Sequence, residues 1–264
     1  MDVKDKVVIV TGASAGIGTE TAVQLARLGA NVVVVARRLE RLQALVGQIE
    51  QQGGTALAAQ ADIAQEAQVR AFVEKTLQRF GRIDVLVNNA GAGLYATVEE
   101  TTAEQMERIW RINFLGTFYC ISNVLPVLRR QGSGQIITIS SMSGRRGAAF
   151  KSAYCAAKFA QIGLMESLRM ETAGSGILTT LIFPGATETE FFDVIENPKN
   201  RKIRFYGSLQ SSSQVAGAVV QAIRKPKVEI ITQPLGRLQT ILHASSPGLA
   251  DWLVRKTVKR NVDI

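Results

Sequence analysis

Histidine and cysteine are almost missing from this chain of 264 residues: His243 is its one histidine, and Cys120 and Cys155 are its two cysteines. Two distant thiols and a single imidazole offer no metal-ligand spacing, so neither a metal centre nor a disulfide is expected, and so few thiols suit a reducing compartment. His243 lies outside every motif described below and is expected to be structural, not a catalytic base. Long apolar runs are missing as well. The longest, such as 7–10 and 32–36, fall far short of the ~20 residues that cross a bilayer. A strand pattern begins by about Lys6, leaving no room for a secretory leader, and a cytoplasmic location is expected. No low-complexity or Pro/Gly-rich linker interrupts a composition that is 46 % hydrophobic and 20 % charged, so disorder is expected only at the ends. Acids are the scarcer charge, 22 against 31 Lys and Arg, for a net charge of +9. The excess is scattered apart from Arg37-Arg38, Arg129-Arg130, Arg145-Arg146 and a denser carboxyl terminus, so a nucleic-acid partner is weakly supported.

What is present is a regular alternation. Apolar runs at 6–11, 31–36, 55–60, 83–87, 135–140, 177–183 and 227–232 predict strands, and 3.6-residue periodicity predicts helices near 17–28, 39–51, 65–80, 102–130, 152–172 and 213–224. Repeated strand-helix units predict an α/β fold, a doubly wound Rossmann-type parallel sheet of about seven strands with helices on both faces. Residues 1–232 form the dinucleotide-binding domain in this reading. Residues 190–212 lack clear periodicity and have the character of a lid, while 233–264 form a basic helical extension on the same domain. From Gly248 onward Leu249, Leu253 and Val258 alternate with Arg255, Lys256, Lys259 and Arg260, a basic amphipathic helix that docks on its own domain, on a partner subunit or on an anionic membrane.

The chemistry-bearing residues fall at strand ends. After the first strand comes Gly12-Ala13-Ser14-Ala15-Gly16-Ile17-Gly18, a glycine loop opening a helix, where backbone amides can hold a pyrophosphate. Ala36 stands at the end of the second strand where an acid would bind a ribose 2′-hydroxyl, and Arg37 and Arg38 follow, a pattern for a 2′-phosphate that favours NADP over NAD. Asp62 and Ile63 follow the third strand, suited to an adenine edge and face, and Asp62 equally suits a helix amino cap. Asn88-Asn89-Ala90-Gly91 ends the fourth strand with small residues and amides that tie strand ends together. Asn113 interrupts a helical run and either marks a kink or has a job. Ser141 ends the fifth strand, and Tyr154 and Lys158 sit at i and i+4 on one helical face, a phenol beside an ammonium able to lower its pKa. Pro184-Gly185-Ala186-Thr187-Glu188-Thr189 follows the sixth strand.

Taken in order, these motifs resemble the short-chain dehydrogenase/reductase family, single-domain branch, over about residues 1–232. The resemblance implies a catalytic set of Asn113, Ser141, Tyr154 and Lys158. The cofactor would lie on Gly12, Ser14, Ala15, Gly16, Ile17, Gly18, Arg37, Arg38, Asp62, Ile63, Asn89, Ala90, Gly91, Tyr154, Lys158, Pro184, Gly185, Thr187 and Thr189. It further implies that Tyr154 exchanges the proton while hydride passes between nicotinamide and carbonyl carbon, Ser141 orients the oxygen, and Lys158 tunes the phenol and binds the ribose. Asn113 would hold a water linking Lys158 to solvent. NADP is the preferred cofactor, with NAD possible; the substrate is a small carbonyl or alcohol compound, and a homodimer or homotetramer with helix 152–172 in the interface is implied. Tyr95, Phe150, Phe191, Phe192, Phe205 and Tyr206 suggest an apolar pocket, and residues 142–151 are expected to face the substrate. Within that stretch Arg145 and Arg146 are either contacts for an anionic substrate group or solvated loop residues. A 3-oxoacyl-carrier reductase and a non-catalytic cofactor-binding or interaction protein are the alternatives.

Overall fold

The computed structural model describes residues 2–203 and 208–258, the last five by their backbone alone. In chain order the elements are β1 (Val7–Thr11), α1 (Gly16–Arg27), β2 (Asn31–Ala36), α2 (Leu39–Gln51), β3 (Thr55–Gln60), α3 (Glu66–Phe80), β4 (Val85–Asn88) and α4 (Ala103–Trp110). A π-helical turn, Arg111–Leu115, joins α4 to α5 (Gly116–Gln131), followed by β5 (Gly134–Ile139), α6 (Ser152–Glu171), β6 (Ile177–Phe183), β7 (Thr187–Glu188), β8 (Gln210–Ser211), α7 (Ser212–Arg224), β9 (Glu229–Ile231), α8 (Pro234–Ser245) and α9 (Pro247–Val258). The sheet order is β3-β2-β1-β4-β5-β6-β9, every neighbouring pair parallel.

Strand chemistry explains the layering. β1 is buried along its whole length, and its side chains alternate in destination: Val8 and Val10 join Leu25 of α1, Leu42 of α2 and Ile223 of α7 on one face, while Val7 and Ile9 join Phe72 of α3, Val124 of α5 and Met165 of α6 on the other. A strand covered on both faces has no polar side, which is why these runs read as continuous Val/Ile rather than alternating with charge. Each fully buried Ile or Leu contributes roughly 1.5–3 kcal/mol of burial. The chain winds outward from β1 in one direction to β2 and β3, then crosses back to β4 and beyond. At that switch the loops leaving β1 and β4 part to opposite faces and open a crevice beyond the strand ends.

Three elements differ from the pattern predicted for them. The break at Asn113 is a π turn inside one continuous helical path, which starts at a capping box between Thr102 and Gln105. The segment 190–212 is in part pinned: β7 pairs β8, Tyr95 N–H donates to the Glu196 carbonyl at 2.8 Å, and Glu100 is bridged by Arg201 at 2.5 Å. The carboxyl-terminal part holds two helices where periodicity marked only the second, with Pro234 at the first position of α8. Phe205 and Tyr206 of the expected apolar pocket lie outside the described residues, as do Lys259 and Arg260 of the basic tail.

Candidate active site

The carboxyl ends of the central strands open onto a cavity of about 440 Å³. Of the residues assigned to the cofactor by sequence, all but Gly18 line it; of the catalytic four, Ser141, Tyr154 and Lys158 line it and Asn113 does not. Gly18 supports the wall from beneath, where a Cβ would stand 2.3 Å from the Gly12 carbonyl oxygen and 2.7 Å from Asn89 Nδ2. Gly12 itself has φ +67°, and its own Cβ would fall 2.7 Å from Ala90 Cα. Neither position admits a side chain.

The loop is fixed from β4. Thr11 Oγ1 accepts both the Asn89 and Ala90 amides, at 3.0 and 3.1 Å, and Asn89 Nδ2 donates to the Thr11 and Gly12 carbonyls at 2.9 and 3.2 Å. The amides of the Asn88–Gly91 motif thus tie two strand ends together, as their composition suggests. The α1 amino terminus has neither a side-chain cap nor an acid in its first turn. Gly16 and Ile17 of its first turn line the cavity, where the uncapped amide hydrogens of a helix start are the chemistry a pyrophosphate requires. These residues fit a dinucleotide.

At the far end of that groove Arg38 donates from Nη2 and Nε to Ser14 Oγ at 3.0 and 3.2 Å and meets Glu190 at 3.4 Å. Arg41, which the sequence did not single out, donates from Nη1 to both Glu190 oxygens at 2.7 Å. The two guanidinium groups hold the Glu190 carboxyl below its ordinary range. Asp62 is not the amino cap of α3, which begins at Glu66 with Gln65 as its cap residue. Its carboxylate accepts the Ala64 amide at 3.0 Å and so closes the turn beneath the groove.

Ser141 ends β5 in extended conformation, and its Oγ accepts the Ser143 amide at 3.1 Å. Tyr154 and Lys158 rise from the first turns of α6; Lys158 Nζ stands 5.7 Å from the phenol ring centroid and donates to the Ile139 carbonyl at 3.0 Å. Burial dominates the electrostatics of this site. Burial pushes the Tyr154 phenol up to about 12, with the Ser141 hydrogen bond opposing it, and burial pulls the Lys158 ammonium down to about 7. Both charged forms lose hydration here, and that sets the direction of each shift.

Asn113 has a job in the structure. Nδ2 donates to the Ala92 and Ile109 carbonyls, each at 2.9 Å, and Oδ1 accepts the Ala92 amide at 3.3 Å. Its main-chain carbonyl, freed by the π turn, accepts Gln161 Nε2 at 2.7 Å and Thr117 Oγ1 at 2.8 Å.

The substrate end is apolar. Phe191 lies 5.7 Å from the Tyr154 ring and 5.5 Å from Phe192, and with Leu94, Met142 and Ile195 they wall the cavity. Met142 and Lys151 bound the stretch after Ser141 that sequence pointed to the substrate; Leu94 and Ile195 carried no signal, because loop aliphatics have no period. Tyr95 and Phe150 instead pack on each other at 5.2 Å, away from the cavity lining. Arg145 and Arg146 meet neither expectation: Arg145 pairs with Glu229 and stacks over Phe183 at 4.4 Å, and Arg146 pairs with Asp251 at 2.7 Å. Cys120 and Cys155 are both free and buried.

A family model for short chain dehydrogenases matches residues 6–200. An uncharacterized oxidoreductase of Staphylococcus saprophyticus is 36 % identical over 238 residues, 88 % of this chain and 95 % of that protein. A short-chain dehydrogenase/reductase of Burkholderia phymatum, solved in complex with NAD, superposes with a TM-score of 0.86 at 23 % identity over 94 % of this chain and 96 % of its own, a likeness of fold. An alcohol dehydrogenase of Thermococcus sibiricus, complexed with 5-hydroxy-NADP, superposes with a TM-score of 0.78 at 29 % identity over 86 % of this chain and 96 % of its own. With the glycine cradle, the tyrosine-lysine pair and the parallel sheet already in place, the chain belongs to the short-chain dehydrogenase/reductase family of NAD(P)-dependent oxidoreductases.

Proposed function

We propose that this chain moves hydride between NADP(H) and the carbonyl or alcohol carbon of a nonpolar small molecule, with Tyr154 as proton donor and acceptor. The observation that carries this reading is the placing of Tyr154, hydrogen-bonded to Ser141 and one helical turn from Lys158, at the apolar end of a groove that starts on the glycine cradle. The nicotinamide, when bound, supplies or takes up the hydride. Ser141 Oγ is held by the Ser143 amide and stands beside the phenol, with a hydroxyl proton it can donate. It is therefore suited to hold the substrate oxygen beside the phenol. As negative charge develops on that oxygen, Tyr154 gives up its proton to what becomes an alkoxide, a far stronger base than a phenolate. The Lys158 ammonium then stabilises the phenolate, and in alcohol oxidation the same groups act in reverse. A phenol held at about 12 is protonated at neutral pH, which suits it to donate.

NADP is favoured by the absence of an acid at Ala36 and by the Arg38–Ser14 seat beside Arg37, which offers guanidinium donors to a 2′-phosphate. Pro184, Gly185, Thr187 and Thr189 line the same cavity and would hold the carboxamide. The test is a panel of apolar ketones, aldehydes, alcohols and a 3-oxoacyl thioester, followed by nicotinamide absorbance with both cofactors. Reduction of apolar carbonyls with NADPH outpacing NADH is expected; a thioester preferred over every free carbonyl would replace the substrate assignment, and tight cofactor binding with no turnover of any compound would remove the enzymatic one.

A further inference from the structure

Six of the sixteen large hydrophobic side chains exposed among the described residues fall between positions 235 and 253. On α8 they are Leu235, Leu238 and Ile241, with 69, 63 and 55 % of their surface exposed; on α9 they are Leu249, Trp252 and Leu253, at 48, 50 and 42 %. Spacings of three and four residues set each trio in a stripe along its helix. The two helices pack on each other and are fastened to the sheet domain from within. Arg146 donates to the Ala250 carbonyl at 3.2 Å and to Asp251 at 2.7 Å, Ala250 is buried, and a Cβ on Gly236 would come within 3.1 Å of Met142 Sδ. A fastened helix pair with six large apolar side chains at 42–69 % exposure carries apolar surface made to be covered.

Charge selects what covers it. Arg255, Lys256, Lys259 and Arg260 follow the apolar stripe with no acid among them, and Asp251, the one acid in 234–260, is engaged by Arg146. Arg237 is exposed on α8. A second copy would cover the apolar side chains but would bring no acid within 234–260 except the engaged Asp251 to answer these cations. A nucleic acid would use the cations and leave the leucines wet. An anionic lipid surface uses both, its headgroups meeting Lys and Arg while Leu, Ile and Trp enter the acyl boundary.

The geometry points to an anionic bilayer as the partner of the α8–α9 face, bound in the plane of the membrane. No described helix is long and apolar enough to cross one. Met142 both touches Gly236 and lines the cavity, so the docked face adjoins the substrate end of the site.

The test uses the full chain and flotation with vesicles of phosphatidylcholine, alone or mixed equally with phosphatidylglycerol, and needs no turnover. The chain is expected to float with the mixed vesicles, about tenfold less with phosphatidylcholine alone, and about tenfold less when concentrated NaCl screens the headgroups. The pair Leu238→Glu and Ile241→Glu, at exposed positions outside the cavity, should abolish flotation while NADPH binding stays as in wild type. Arg255→Glu with Lys256→Glu should abolish it as well, and decides the matter if the first pair does not fold. Absence of flotation with anionic vesicles, or flotation unchanged in a folded variant, overturns the proposal; dissociation of an oligomer by Leu238→Glu and Ile241→Glu, with no vesicle binding by wild type, would assign the face to a second copy.

Discussion

At the scale of single residues, burial sets the charges that spacing alone could not. Tyr154 and Lys158 were legible because i and i+4 share a helical face, but the depth at which that face lies is decided by strands and loops far away in sequence. Lys158 is 3 % exposed, and its pKa falls from 10.5 to about 7. Between those values the unfolded chain keeps a proton the folded chain has released, so stability of the cofactor-free protein should rise with pH from about 7 to about 9. Above that the sign changes, since Cys120 and Tyr154, each raised to about 12, hold protons the unfolded chain gives up. Thermal unfolding midpoints across this range check it: Lys158→Met should flatten the rise, and a wild-type midpoint falling from pH 7 to 9 would contradict the assignment. Arg145 and Arg146 make the same point, for no local pattern foretold partners at Glu229 and Asp251. Glu190 occupies Arg38, one of the two arginines of the 2′-phosphate reading, together with its neighbour Arg41. Glu190→Gln should therefore tighten NADPH by about two- to fivefold, the scale of an exposed ion pair, with NADH unchanged in a fluorescence titration.

At the scale of elements, what the sequence shows is period and interruption, and what it hides is how an interruption is used. Asparagine inside 102–130 signalled a break correctly, yet the π turn that keeps the helix continuous depends on partners at Ala92, Ile109, Thr117 and Gln161, four separate places in the chain. Removing the buried Asn113 amide strands several of these groups, so Asn113→Ala should cost about 2–4 kcal/mol in a denaturant titration. Gln161→Leu removes the two bonds that Nε2 donates, one to Thr117 Oγ1 and one to the Asn113 carbonyl, which keeps Thr117 Oγ1 as a donor. It also removes an Oε1 that has no partner among the described residues, and should cost no more than about 1.5 kcal/mol. Equal losses in the two variants would show that the amide does not brace the turn. The β7–β8 ladder, two residues on each side, is too short for any alternation to announce it. Helix α8 escaped notice because its apolar stripe of Leu235, Leu238 and Ile241 is exposed rather than buried, the reverse of the pattern that marks a core-facing helix.

At the scale of the molecule, the strand-helix alternation made the parallel sheet legible, since each strand covered on both faces is written as an unbroken apolar run. The substrate is not legible in the same way: Leu94, Met142, Phe191 and Ile195 reach the cavity from three different loops. Assembly belongs to this scale as well. Phe118 on α5 and Phe159 on α6 are 42 and 44 % exposed, suiting those helices to an interface between copies. Phe118→Glu with Phe159→Glu should shift a dimer or tetramer towards monomer in sedimentation velocity, whereas an unaltered assembly would place the interface elsewhere. The central claim, proton transfer by Tyr154 coupled to hydride transfer, is tested most directly by Tyr154→Phe assayed with NADPH and the best carbonyl of the panel. Wild-type NADPH affinity with turnover lowered by about 10²–10⁴-fold is the predicted result, and undiminished turnover with cofactor still bound would contradict it.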